Sequence, residues 1–184
     1  MKIKKNKKAL NLSKRKFNIF ILKKKIHLSS GIFLINKKYK KKEFYHYIKD
    51  PDNVMTIPKL KNKKFILVCQ KREPINKRNY EFPSGWVDKG EKPVESASRE
   101  LLEETGYKSL IKPKKLLTLC PEPGRLSKYM TCYYSNKLKK ITKPERGIKI
   151  IYCDKKKIIQ LIKIGKFNSA SHIAAFYYYL SNKN

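Results

Sequence analysis

Half of the acidic residues of this chain lie in one short internal segment. The 184-residue sequence has 46 Lys or Arg but only 14 Asp or Glu, and seven of those acids fall between positions 81 and 104. They are Glu81, Asp88, Glu91, Glu95, Glu100, Glu103 and Glu104. Carboxylates are ligands that Mg²⁺ takes in proteins. The cluster therefore indicates either a divalent-cation site or a solvated acidic helix face that pairs with Lys89, Lys92 and Arg99.

The last three of these acids fall on a predicted helix. Pro93 at a favoured first-turn position and Gly106 at a left-handed cap predict a helix over residues 93–105. On this helix Glu100 and Glu104 are four residues apart, so their carboxylates lie on one face and repel each other. A bound divalent cation would convert that repulsion into attraction. The helix alone fits both interpretations of the acidic cluster.

The loop before the helix favours the cation site. It contains Pro83, Gly85 and Gly90, which form a compact turn where carbonyl and carboxylate oxygens can converge. The stretch from Gly85 to Tyr107 resembles the Nudix box, G-x5-E-x7-R-E-U-x-E-E-x-G-U, where U is a bulky apolar residue. Every fixed position matches in type and spacing. The one departure is Tyr107, which is aromatic where an aliphatic residue is commoner.

The resemblance implies a fold, a cofactor and a set of residue roles. The implied fold is the α/β/α Nudix sandwich of class α/β, with a mixed β-sheet flanked by helices. The implied cofactor is Mg²⁺, with Mn²⁺ as the alternative. Glu100 and Glu104 would bind the metal, and Glu103 would support them or bind a further ion. The backbone carbonyl of Ser84 would complete the coordination, and Arg99 would pair with a glutamate of the box.

The residues around the box resemble the ADP-ribose (ADP-sugar) pyrophosphatase branch of this family. Residues 80–85, Tyr-Glu-Phe-Pro-Ser-Gly, resemble the segment that leads into the box there, and Pro123 lies 16 residues beyond the box, as the branch's proline does. Arg72 matches an arginine that contacts the substrate diphosphate. Glu81 is either a contact for polar groups of the substrate or a structural hydrogen-bond acceptor. The implied reaction is hydrolysis of ADP-ribose or a related ADP-sugar to AMP and a sugar phosphate.

The general base is the least defined part of the predicted site. In this branch a glutamate in a mobile loop before the last long strand is often taken as the base, but Arg146 stands at that position here. Glu145 precedes it and is the only acid in the loop 143–149. The sequence leaves three ways of activating the water open: Glu145, Glu103, or the metal alone.

The elements around the box predict one domain preceded by a basic segment. Strands are predicted at 54–57, 65–69, 115–120, 129–135 and 149–153, with 59–64 as a hairpin loop between the first two. Helices are predicted after Asp154 and near Ser169 or Ser171. We predict a Nudix hydrolase domain over residues 51–184. Residues 1–50 form the basic segment, with edge strands at 17–22 and 32–35, and the branch's usual homodimer exchanges such strands.

The formal net charge of +32 admits two origins. The basic residues are 40 Lys and only 6 Arg, which fits compositional drift better than a surface selected for phosphate, where Arg is favoured. A selected surface would suit a Nudix pyrophosphohydrolase of RNA 5′ ends or dinucleoside polyphosphates, or a non-enzymatic RNA-binding protein on a Nudix scaffold. Either origin predicts nonspecific affinity for nucleic acid. Isolated cysteines and the lack of an apolar run of about 18 residues predict a cytoplasmic protein without a membrane span.

Overall fold

The computed structural model describes residues 25–29, 31–40 and 43–182. The chain divides into two units, the first comprising Met1–Asp50 with Glu122–Ser127 and the second Pro51–Pro121 with Lys128–Asn184. The grouping of Glu122–Ser127 with the N-terminal segment was not expected from the sequence, and the predicted domain boundary after residue 50 stays a prediction. The strand predicted at 17–22 lies outside the described residues.

The first unit is a four-stranded sheet. Its strands, in the order β1-β2-β3-β10, are β1 (Lys25–Ser29), β2 (Ile32–Lys40), β3 (Glu43–Lys49) and β10 (Leu126–Ser127). The first three are antiparallel, whereas β10 runs parallel to β3. The Ile48 N–H donates to the Arg125 carbonyl at 2.8 Å, which joins the later segment to the N-terminal strands. The strand predicted at 32–35 is the first part of β2.

The second unit combines three small sheets with three helices. One sheet has the order β7-β4-β11-β9, another β13-β5-β6, and β12 pairs with β8. The strands are β4 (Asn53–Pro58), β5 (Phe65–Arg72), β6 (Lys77–Glu81), β7 (Ser84–Trp86), β8 (Tyr107–Ser109), β9 (Lys114–Leu119), β11 (Met130–Ser135), β12 (Leu138–Lys140) and β13 (Lys149–Cys153). The helices are α1 (Pro93–Thr105), α2 (Lys155–Lys163) and α3 (Ala170–Ser181). A 3₁₀ turn at Glu73–Ile75 joins β5 to β6.

The strand pairings are mixed, because β4 and β11 are parallel while their other neighbours are antiparallel. The predicted hairpin around 59–64 is wrong, since β4 and β5 lie in different sheets and only an isolated bridge between Lys59 and Phe65 connects them. Strand β5 pairs instead with β13 over Phe65–Cys69 and with β6 over Val68–Arg72. The connection therefore passes from one sheet to another.

The core of the second unit is aromatic. Phe82 packs edge-on against Phe167, with ring centroids 5.4 Å apart, and Phe65 packs edge-on against Phe176 at 5.6 Å. Helix α3 buries a stripe at helical spacing: His172, Ala175, Phe176 and Tyr179. This stripe, rather than helix propensity, holds the helix, because buried apolar area is the main favourable term in folding.

Helix α1 has the predicted bounds. It is capped by Gly106, where the backbone of Thr142 comes close to the chain. The Gly106 N–H donates to the Leu102 carbonyl at a φ of 70°, in the left-handed region. A Cβ at Gly106 would lie 2.1 Å from the Thr142 carbonyl oxygen, so the position excludes any side chain. No helix in the part of the chain that the structure describes is long and apolar enough to cross a bilayer.

Candidate active site

The carboxylate of Glu104 is held from two sides where strands β5 and β7 approach α1. The Ser84 backbone N–H donates to Oε2 at 2.8 Å, and the Gln70 amide donates to Oε1 at 3.1 Å. Burial raises the pKa of Glu104 to about 7, against the opposing effect of these two hydrogen bonds. Glu104 is therefore a fixed carboxylate whose charge is poorly compensated by the protein alone.

Glu100 lies directly against the backbone of the loop. A Cβ built on Gly85 would come within 2.1 Å of the Glu100 carboxyl carbon and of one oxygen. Only glycine leaves room for the carboxylate here. Burial raises the pKa of Glu100, and the negative charges of Glu103 and Glu145 act in the same direction. These effects outweigh the opposing effect of Arg99 and indicate that the acidic groups lie close together.

Arg99 pairs with three glutamates of the box, which includes the pairing that we expected. Its Nη1 donates to Glu100 Oε1 at 2.7 Å and to Glu103 Oε2 at 3.0 Å. Its Nη2 contacts Glu91 Oε2 at 3.2 Å and donates to the Trp86 carbonyl at 3.1 Å. A single guanidinium thus connects the loop to the acidic face of α1.

The loop that contains Glu145 is attached to the end of α1. The Glu145 backbone N–H donates to the Glu103 carbonyl at 2.9 Å. The side chain of Glu145 is exposed, and its charge contributes to the raised pKa of Glu100. Glu145 is thus near the carboxylates although it stands one position before the register expected from sequence.

Arg72, the last residue of β5, and Glu81, the last residue of β6, form an ion pair along the antiparallel β5–β6 pair, in which Glu81 is opposite Val68. The Arg72 Nε donates to Glu81 Oε1 at 3.1 Å, and Nη2 makes a closer contact with Oε2. The Asn79 amide donates to Oε1 at 2.8 Å. Burial opposes ionisation of Glu81, but these hydrogen bonds and the positive charge of Arg72 outweigh it and lower the pKa. The side chain of Arg72 remains 40% exposed, whereas that of Glu81 is only 6% exposed.

The model of the NUDIX domain family matches residues 49–161, which include the loop, α1 and the segment of Glu145. This chain belongs to the Nudix family. An ADP-ribose pyrophosphatase of Bacillus subtilis (strain 168) is 37% identical over 91 residues, which are 50% of this chain and 47% of that protein. An ADP-sugar pyrophosphatase of Mus musculus is 40% identical over 80 residues, 41% of this chain and 36% of that protein. The chain thus matches about half, or less, of the length of these curated relatives.

The fold has a counterpart among solved structures. A structure described as a crystal structure of an ADP compounds hydrolase superposes with a TM-score of 0.70 over 85% of this chain and 89% of that one. The sequence identity is 19%, so the likeness speaks for the fold alone. Together with the family match, it confirms the predicted class: a Nudix α/β fold with mixed strand pairing and helices.

The donor set of this Nudix site fits a hard divalent cation. Glu100, Glu103 and Glu104 offer carboxylate oxygens, the type of ligand that Mg²⁺ and Mn²⁺ prefer. Gly85 provides the space in which the Glu100 carboxylate lies. In the described residues no three acidic, imidazole or thiol groups converge into a ready metal cage, and Arg99 engages one oxygen each of Glu100 and Glu103.

Of the predicted site residues, the structure brings five close to α1: Ser84, Glu100, Glu103, Glu104 and Glu145. It places Arg72 and Glu81 beside them on the β5–β6 pair. The positive charge of Arg72 acts against the raised pKa of Glu104, which shows that the two groups interact. Our sequence reasoning missed Gln70 and Asn79. The available signal was the strand period, because Gln70 lies two residues before Arg72 and therefore on the same face of β5.

Proposed function

We propose that this chain hydrolyses the diphosphate of ADP-ribose, or of a related ADP-sugar, to AMP and a sugar phosphate, with Mg²⁺ or Mn²⁺ as cofactor. One observation carries the proposal: Gln70, which holds Glu104, and Arg72, which is held by Glu81, lie on the same face of β5. A cationic fork therefore stands beside the carboxylates. A diphosphate bound there would contact both Arg72 and a metal held by the carboxylates.

The metal would be held by Glu100, Glu104 and the Ser84 carbonyl, with Glu103 supporting them. When bound, a divalent cation supplies positive charge that neutralises the diphosphate and makes a water more acidic. The Ser84 N–H and the Gln70 amide fix the Glu104 carboxylate in advance, so that little reorganisation is needed when a ligand binds.

Arg72 would bind the diphosphate through the guanidinium N–H groups that Glu81 does not engage. The contacts of Glu81, which Asn79 holds, orient that guanidinium, so the structural interpretation of Glu81 is favoured over direct contact with substrate. Water would attack one phosphorus, the anhydride P–O bond would break, and the two phosphates would leave as AMP and a sugar phosphate. The proton of the water would pass to a carboxylate of the chain.

Glu145 is the preferred acceptor for that proton. Glu103 already accepts a hydrogen bond from Arg99, whereas within residues 43–182 the Glu145 carboxylate makes no ion pair. The loop bond from Glu145 to Glu103 keeps the group near α1. Replacement of Glu145 by Gln should lower kcat by roughly 100-fold or more, as for loss of a general base, and should leave KM nearly unchanged.

The decisive experiment is product analysis with Mg²⁺ and a panel of ADP-ribose, ADP-glucose, diadenosine polyphosphates and 5′-triphosphate RNA. We expect the wild-type chain to form AMP and ribose 5-phosphate from ADP-ribose. Glu104→Gln should lose this activity, and Glu95→Gln should keep it. Glu95 is the matched control, because it is an exposed glutamate on the same helix. Turnover of RNA or polyphosphates alone would favour the alternative substrates, and no turnover at all would favour a basic RNA-binding protein.

The homodimer remains part of the proposal. The family branch exchanges N-terminal strands, and the strands of the first unit are the segment that would do so here. Light scattering on the purified chain should give twice the monomer mass of 21.8 kDa. A monomer that hydrolyses ADP-ribose at full rate would remove the dimer from the proposal without affecting the reaction.

A further inference from the structure

A second cavity lies at the other end of the sheet that carries the candidate active site. It has a volume of about 580 Å³, within the range of small-molecule clefts, roughly 300–1,000 Å³. Phe65 begins strand β5 and lines this cavity, whereas Arg72 ends the same strand at the candidate active site. Seven residue steps at about 3.3 Å each separate the backbones of Phe65 and Arg72 by roughly 23 Å. The two sites share no residue.

The walls of this cavity are strongly basic. Four of its lining residues are lysines, Lys59, Lys63, Lys155 and Lys156, and the one acid is Asp154. Asp154 serves as the cap of α2, because its Oδ1 accepts a hydrogen bond from the Lys157 N–H at 2.7 Å. Its carboxylate is therefore committed locally. With four lysines and one aspartate, the walls of the cavity keep an excess of positive charge.

Three of these lysines make no ion pair with the part of the chain that the structure describes, and the fold places two of the four at defined positions. Across the described residues, no ion pair engages Lys63, Lys155 or Lys156. The ammonium of Lys59 lies 5.4 Å from the centroid of the Phe65 ring, which holds it over the cavity floor. Lys63 adopts a φ of 66°, in the left-handed region that favours Gly or Asn. Lys63 belongs to the β4–β5 connection, which therefore forms part of the cavity wall.

The chemistry of the walls selects the class of ligand. We propose that this cavity binds a small molecule with two or more linked phosphate groups, through Lys59, Lys63, Lys155 and Lys156. Ammonium groups on flexible stems bind phosphate as point charges. The N-terminus of α2 adds its dipole to the same wall.

The floor argues against single-stranded nucleic acid as the ligand. Such sites stack bases on exposed aromatic rings, but the two aromatic residues here, Phe65 and Tyr179, are 2% and 3% exposed. They form a buried base to the cavity rather than a stacking platform. A compact polyphosphate needs only the charges.

Calorimetry with tripolyphosphate on the full chain, in EDTA to keep the carboxylate site free of metal, tests the proposal. The test variant is Lys63→Gln/Lys155→Gln/Lys156→Gln. The matched control is Lys108→Gln/Lys139→Gln/Lys163→Gln, which removes three charges from exposed lysines that do not line the cavity. Tripolyphosphate affinity should fall at least roughly tenfold in the test variant, because charge-assisted contacts are lost, and should change less than about twofold in the control.

Three results would overturn the proposal. Equal losses in the two triple variants would mean that the ligand responds to overall charge. No binding to the wild-type chain at millimolar tripolyphosphate would remove the site. A selective loss of oligouridylate RNA binding in the test variant, with tripolyphosphate unaffected, would assign the cavity to nucleic acid instead. All six lysines are exposed, so thermal melting of the variants without ligand should match the wild type.

Discussion

At the scale of single residues, the site depends on side chains that place other side chains. Gln70 holds one oxygen of Glu104 and the Ser84 N–H holds the other, while Asn79 holds Glu81, which in turn holds Arg72. Groups that position a metal ligand typically change metal affinity by about 10–100-fold when they are lost. The geometry of the candidate site therefore rests on more residues than those of the Nudix box.

Gly85→Ala tests the contact between the loop and Glu100. The added Cβ would lie 2.1 Å from the Glu100 carboxyl group, and the long glutamate side chain would move aside. A displacement of about 1 Å in an active site can lower the rate by roughly 100-fold. We expect kcat/KM for ADP-ribose to fall by about that factor, with circular dichroism and melting near those of the wild type. A variant with full activity would show that Glu100 need not lie against the loop.

At the scale of elements, α3 is tied to the start of the loop through one buried histidine. The Phe82 backbone N–H donates to His172 Nδ1 at 3.1 Å, so this nitrogen must be unprotonated. The pKa of His172 is lowered to about 4, because burial and the positive charge of Arg72 outweigh the opposing effect of the Glu81 carboxylate. Protonation would break the contact between α3 and the segment that leads into the box.

The pH dependence of stability follows from that lowered pKa. Unfolded His172 titrates near 6.5 and the folded residue near 4, so the unfolded chain binds more protons between these values. Stability contributed by His172 is therefore complete above pH 6.5 and is lost as pH falls, at about 1.4 kcal/mol per pH unit. In urea unfolding, the wild-type-minus-His172→Asn difference in unfolding free energy should decrease as pH falls through this window. Glu104 has a raised pKa and the opposite slope, so the wild-type-minus-variant difference is the quantity to compare.

Elements with strong local patterns were predictable from the sequence. The bounds of α1 follow from Pro93 and Gly106, and the apolar start of β5 marks a buried strand. The polar strand β6 and the short β8–β12 pair were missed, because their pairing depends on partners far along the chain. The same distinction holds in the candidate site. The proximity of Glu100 and Glu104 follows from helix periodicity, whereas the Arg72–Glu81 ion pair depends on the β5–β6 register and was not predicted.

At the scale of the whole molecule, charge is the dominant feature. A formal net charge of +32 creates a field that attracts polyanions of any sequence and weakens with added salt. Lysines that contact phosphates add affinity for nucleic acid but do not distinguish one base sequence from another. The field would also draw an anionic nucleotide sugar toward the protein.

Nonspecific RNA binding should therefore be steeply salt-dependent. Each neutralised phosphate on single-stranded RNA contributes about −0.7 to the slope of log K against log salt. Filter binding of a random oligoribonucleotide should weaken by more than roughly tenfold between 50 and 200 mM NaCl. A flat salt response would contradict this account of the charge.

The contacts of Arg99 have a consequence for how the protein matures. The guanidinium of Arg99 lies among Glu91, Glu100 and Glu103, so it offsets part of their mutual repulsion without a metal ion. In many metal sites folding depends on the ion. Here the Arg99 guanidinium supplies positive charge in its place. With the proposed metal dependence, protein made at low magnesium should therefore be folded but inactive. A chelator should abolish the proposed activity without unfolding the protein. Adding the metal back should restore that activity without a refolding step.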